Sequence, residues 1–379
     1  MPRLLTPSAL AALAALTTAS GCAEGLPLEE RIAGLRPLAV RVEVDDPSAP
    51  DDAAVRAEAL PFETVRAYPF IVDVDGPLEL SEVEAQLEPR WLACNMAPIE
   101  GLGSCITNLT PLELSDIEAC PTVDLASFDP SDPDAELPTF PSPCELTGGT
   151  PSQPEFVVPF DPVYLFGGDI ELTMVGHLPE RGDTERCMEQ YLAGGANTDP
   201  ACLIVTQRAA IGPDAVLVDF ASQLGLPDLE GLGELPDPLP DPDAHPRIVN
   251  FVVRELDENG EELQVFQPER GQVIEVRAGH QLDIETQAPE DDLQTYPITT
   301  EDGFTDDEEA YEGAWFTTWG TLLSPSSDDP LSLNTWTLER GEQDEEGNVP
   351  PGNRATLFYV LRDGRNGVDW WWFHADVAE

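Results

Sequence analysis

Hydrophobic positions along this chain come in short runs broken by turn residues. Runs at residues 38–44, 64–74, 83–92, 156–166 and 169–177 read as strands, as do 202–208 and 215–220. Within 169–177, Ile170, Leu172 and Met174 alternate with charged or polar neighbours, the pattern of a strand that buries one face. Residues 185–193 read as a helix. Beyond residue 247 the strand pattern is cleaner: runs at 248–256, 262–266, 273–278, 281–286, 314–322, 333–338, 355–362 and 368–377 follow one another without a helical stretch. Asn259-Gly260 between the first two is the strongest short-range hairpin signal, because both residues tolerate the left-handed backbone of the tight turn.

Between the halves, residues 223–246 carry prolines at 227, 236, 238, 240, 242 and 246 interleaved with Asp and Leu. That composition predicts an extended, semi-rigid linker of ~3.1 Å per residue. It divides the chain into a first domain at 35–222 and a second at 247–379. Proline overall, 38 of 379 residues, is about twice the usual ~5% and disfavours long helices.

The N-terminus reads as an address. Arg3 is followed by an apolar, helix-prone run at 4–18 and by Ala19-Ser20-Gly21-Cys22. The run is too short to span a bilayer and ends in a processing site, so residues 1–22 are expected to be a signal peptide. The ending resembles the bacterial lipoprotein signal, with Ala19 where Leu is usual. That resemblance implies a lipid on Cys22, a tether at 23–34 and an extracytoplasmic protein anchored to the outer membrane or cell surface.

Setting Cys22 aside leaves an even six cysteines: Cys94, Cys105, Cys120, Cys144, Cys187 and Cys202. In an oxidising compartment they are expected to form three disulfides. Six cysteines permit 15 connectivities. Sequential pairing is preferred, above all Cys187 with Cys202, where a loop of that length adds about 3 kcal/mol by restricting the unfolded chain. Zinc is disfavoured, since the thiols form no Cys-x-x-Cys pair.

The formal charge is −55, from 73 acidic and 18 basic side chains. Such a chain is repelled by phosphate backbones and anionic bilayers, which excludes nucleic acid as a partner and leaves the lipid as its means of holding a membrane. Every basic residue is Arg. The absence of Lys removes P-loop, Schiff-base and pyridoxal phosphate chemistry.

A resemblance enters through Gly279-His280-Gln281-Leu282-Asp283-Ile284, Trp315-Phe316-Thr317-Thr318-Trp319-Gly320, Asn334-Thr335-Trp336 and the turn Arg362-Asp363-Gly364-Arg365-Asn366-Gly367 before Val368-Asp369-Trp370. In this order they resemble the immunoglobulin-like, PKD-like or cadherin-like sandwiches of surface lipoproteins in myxobacteria and related bacteria. The first domain is similar through Leu35 to Val40 and Arg90 to Cys94. The resemblance implies a mainly β protein of two immunoglobulin-like β-sandwich domains in tandem, the first with a long disulfide-bearing insertion.

Candidate chemistry is sparse. The histidines, His177, His245, His280 and His374, are scattered, and no His-Glu-x-x-His, Gly-x-Ser-x-Gly or Gly-x-Gly-x-x-Gly occurs. Neither catalytic residues nor a required cofactor is expected, and a non-enzymatic binding, adhesion or structural role follows. Calcium is the metal to weigh, as a ligand of a calcium-dependent adhesion module, with candidates Asp73, Asp75 and Glu82, residues 306–309 and residues 344–346. An EF-hand fails, since Ile71 and Pro77 stand where ligands are needed. Solvated acidic loops account for these clusters more simply. Of the tryptophans only Trp91 lies in the first domain. In a strand Trp371 and Phe373 point opposite to Trp370 and Trp372, so one pair can join the core while the other is covered or exposed. Trp371 and Phe373 are the candidate docking surface for a glycan or protein, with burial under a loop or against the first domain as the competing outcome.

Overall fold

The structure is a computed structural model that describes residues 30–46, 54–96, 111–122, 142–159, 164, 167–179, 181–194, 199–213, 241–300, 303–327, 331–339 and 350–378. Its N-terminal half contributes β1 (Arg36–Val44), β2 (Glu58–Ala59), β3 (Thr64–Val72), β4 (Arg90–Met96), β5 (Cys144–Glu145), β6 (Gly149–Thr150), β7 (Gln153–Val157), β8 (Gly168–His177) and β9 (Cys202–Ile211). Helices α1 (Leu80–Leu87) and α2 (Thr184–Gly194) interrupt them. The strands form two sheets, in the orders β1-β3-β7-β6 and β2-β9-β8-β4-β5.

Alternation explains how these sheets face each other. Val40, Val42 and Val44 of β1 and Val65, Ala67 and Ile71 of β3 meet Trp91, Ile170, Leu172, Met174 and Ile211 from the second sheet in one core. The chain is therefore mainly β, as its pattern predicts.

One expected strand is a helix. Residues 83–92 divide into the end of α1 and the start of β4, because Glu79 and Glu82 close a reciprocal capping box and Glu88 turns left-handed just before Pro89. Val83 and Leu87, four apart, bury one helical face.

Two disulfides join Cys120 to Cys144 and Cys187 to Cys202, as sequential pairing predicts. Cys94 is also disulfide-bonded. Cys105 and the run at 215–220 lie outside the described residues, as do Cys22 and most of the 223–246 linker.

The C-terminal half supplies β10 (Asn250–Leu256), β11 (Glu262–Phe266), β12 (Val273–Arg277), β13 (Gln281–Gln287), β14 (Thr295–Thr300), β15 (Gly303–Glu308) and β16 (Glu312–Thr317). It continues through β17 (Thr321–Leu322), β18 (Ser326–Ser327), β19 (Asn334–Thr337), β20 (Arg354–Arg362) and β21 (Val368–Ala378). Sheets β11-β10-β13-β19-β17 and β12-β21-β20-β16-β18 enclose a second core of Phe251, Trp315, Trp319, Trp336, Tyr359 and Phe373. The β14–β15 hairpin was not expected from the sequence; its strand β15 reads Gly-Phe-Thr-Asp-Asp-Glu, too acidic to register as a hydrophobic run.

Candidate functional site

Two strands bury both faces, and that doubling builds the junction between the halves. In β20, Leu357, Tyr359 and Leu361 point into the second core, while Phe358 and Val360 point out of it. In β21, Phe373, Ala375 and Val377 point in, while Val368, Trp370 and Trp372 point out. The outward set packs on Ala39, Phe70 and Val72 from the outer face of β1 and β3. Phe70 stacks on Trp370 with ring centres 4.7 Å apart and lies 6.2 Å from Trp372.

Of the candidate docking pair, one ring is fully buried and the other half-buried. Phe373 is fully buried in the second core, and Trp371 packs against it, stacked on Phe251 at 5.6 Å with the Arg270 guanidinium 4.9 Å from its ring centre. The opposite pair, Trp370 and Trp372, is half-buried against the first half. Alternation along the strand gave the two pairs; the position of the neighbouring domain decides their fates.

Beside the aromatic contact, the turn from Asp363 to Gly367 plugs into the first half. Asp363 Oδ1 accepts the N–H groups of Arg365 and Gly367 and shapes the turn. A Cβ at Gly367 would stand 1.8 Å from Asp363 Oδ2, so this approach requires glycine. The turn projects Arg365, which pairs with Glu58 of β2 and, at 3.1 Å, with Glu309 beyond β15. The guanidinium also covers the Tyr296 ring at 4.6 Å. Asn366 completes the plug: its carbonyl accepts from Gln207 of β9, and its amide donates to Asp169 of β8.

The described end of the linker, expected to be extended and semi-rigid, is docked on the first half. The carbonyl of Asp243 accepts from Ala57 and Glu58 N–H, its own N–H donates to Glu58 Oε2, and His245 N–H donates to Val55. Asp243 is fully buried, and neither oxygen of its carboxyl has a hydrogen-bond partner. Burial, then repulsion from Asp363 and Glu309, pushes this carboxyl up to about 9. Burial likewise pushes Asp363 up to about 6.

His245 ties both halves together as a neutral ring. Its Nε2 donates to the Val42 carbonyl of β1, and its Nδ1 accepts from the Val368 N–H of β21, which fixes one tautomer. Burial, helped by nearby Arg41, holds it well below the usual histidine range. Asp369 collects the Ile248 N–H and Arg270, both at hydrogen-bond distance, with Arg41 at 3.5 Å. These groups line a cleft of about 340 Å³ between the halves. Arg247, the third arginine of the cleft, is paired with Asp292, so the basic side chains there are matched by acids.

The remaining sequence candidates serve local structure. His177, His280 and His374 bond Thr184, Glu255 and Thr356 respectively. Asp73 closes a turn by accepting from Asp75 and Gly76, and Glu82 caps α1. Glu309 belongs to the junction, while 344–346 lie outside the described residues. Among the described residues no three His, Cys, Asp or Glu side chains form a metal-ligating group.

The expected tether also has a described end, and it is clamped. Ile32 N–H donates to the Thr317 carbonyl, Thr317 N–H donates to the Glu30 carbonyl, and Ile32 is buried against the junction. The chain thus touches the second half before entering β1 of the first.

No family model matches the chain, and no curated protein matches it. Among solved structures it is similar to dimeric latent PorU from Porphyromonas gingivalis at a TM-score of 0.19 and 10% identity, over 90% of this chain and 24% of that one. A likeness of that size carries no argument about fold or activity.

Proposed function

We propose that the chain is an extracytoplasmic protein anchored through a lipid on Cys22, and that it acts as a rigid, non-enzymatic surface body with a binding or structural role. The observation that carries this reading is the joint itself. The aromatic and ionisable side chains that could otherwise serve a mobile or reactive site are used to lock two sandwiches together, with the N-terminal segment folded into the same lock. The disulfides Cys120–Cys144 and Cys187–Cys202 suit an oxidising compartment, and no described helix is long and apolar enough to cross a membrane.

With residues 30–32 clamped, the seven residues 23–29 are all that separate Cys22 from the folded body. Fully extended they span about 25 Å, so the lipid holds the body close to the bilayer. The formal charge of −55 keeps the chain hydrated and repels anionic lipid.

Phase partitioning of the full chain expressed in a diderm bacterium, with a labelled fatty acid, tests the anchor. The native chain is expected in the detergent phase carrying label, and Cys22→Ser in the aqueous phase without it. Equal partitioning of the two would overturn the anchored reading.

A further inference from the structure

Four buried carboxyls, of Glu58, Asp243, Glu309 and Asp363, lie around the Arg365 guanidinium in the junction. Glu58 and Glu309 hold that guanidinium directly. Asp243 does not: it is 0% exposed and both of its oxygens lack a donor, and Asp363 Oδ2 is buried in the same state. An ionised carboxylate buried with no protein donor on either oxygen, as Asp243 would be, is too costly to keep in such a place. Among the described residues no three His, Cys, Asp or Glu side chains form a metal-ligating group, and a proton on the carboxyl removes the cost of its burial.

We infer that the Asp243–Asp363 pair holds a proton that keeps the two sandwiches joined, so that the junction is a latch which alkaline conditions loosen. Asp243 reaches it from the linker, docked on β2, and Asp363 from the β20–β21 turn of the other half. Removing the proton leaves two like charges facing each other across the joint.

The groups around the pair make the direction definite. Asp243 faces Asp363 and Arg365 on the turn, Glu309 beyond β15 and Glu58 on β2. Asp363 faces Glu309 and Arg365, and Tyr311 lies within reach of both acids. Asp169 on β8 adds repulsion near Glu58. Tyr296 and Tyr311 are pushed up, first by burial and then by Asp307 and Asp292 respectively, and keep their protons in the neutral range. Asp243 is raised above its unfolded value, so the folded chain binds the extra proton. Its contribution is fully present below the usual carboxylate range and is lost as pH rises towards 9. His245, held low, is neutral in both states above pH 7 and does not contribute there.

The test is urea unfolding of the chain from residue 23 onward between pH 7 and 9, beside Asp243→Asn, with hydrogen exchange of the Arg365 and Gly367 amides. The native folding equilibrium is expected to fall about tenfold per pH unit, as one bound proton requires, with a matching fall in the protection of both amides relative to the unstructured exchange rate at each pH. Asp243→Asn, neutral and of the same shape, is expected to flatten both trends and to be the more stable protein at pH 9. A flat native profile would overturn the latch, and that reading needs no variant to fold. Equal slopes in the two proteins would also overturn it. So would a gain in native stability on adding calcium chloride that Asp243→Asn abolishes, since the counter-charge would then be a metal ion.

Discussion

At the scale of single residues, Arg365 decides whether the joint closes. Among the described residues it is the cation paired with the carboxylates of buried Glu58 and Glu309. Removing one partner of a buried ion network leaves the others uncompensated, so Arg365→Ala is expected to cost about 3–5 kcal/mol in chemical unfolding. Arg365→Lys keeps the charge but loses the fork that reaches two carboxylates, and is expected to recover only part of that loss. His245 acts in the opposite pH direction from Asp243. Because its folded form is held neutral, its contribution is present above the unfolded histidine value near 6.5 and is lost as pH falls below it. Melting curves between pH 7 and 5 are expected to show His245→Gln gaining on the native chain as the pH drops. A constant gap between the two would contradict the neutral ring.

At the scale of elements, β20 runs between the two cores and carries a single polar residue, Thr356, from Ala355 to Leu361. Ala355 to Leu361 of β20 is buried at every position, where a strand on an exposed sheet alternates. That run was legible in the sequence as a strand but was not read as one covered on both faces. The tryptophan alternation was also legible, whereas which pair faces outward depends on where Phe70 sits, some three hundred residues earlier in the chain. Phe70→Ala is expected to cost about 3–5 kcal/mol, since the stacked ring leaves a cavity between the halves. A loss below 1 kcal/mol in the same unfolding assay would mean that the contact is loose. The helix α1 was missed because Val83 and Leu87 fit both a period of two and a spacing of four; only the Glu79–Glu82 cap and Pro89 separate the two readings. The turn at 362–367 was legible in the sequence as one piece of the resemblance, but its role was not. Arg365 meets Glu58 across 307 residues and Glu309 across 56, and no local pattern carries such pairings.

At the scale of the whole molecule, the charge of −55 and the joint belong to one account. Net charge of that size pushes the parts of a protein away from each other, and the aromatic and ionic contacts between the halves oppose it. Residues 30–32, strand β1, the docked linker and the 363–367 turn all cross the same boundary, so separating the halves breaks each of them together. The chain from residue 23 onward is therefore expected to unfold as one body in spite of its two cores. Calorimetry of that chain beside Arg365→Ala measures this most directly. One cooperative transition in the native chain, divided into two by the substitution, is the result expected; two independent transitions in the native chain, or a single one unchanged in Arg365→Ala, would contradict the joint.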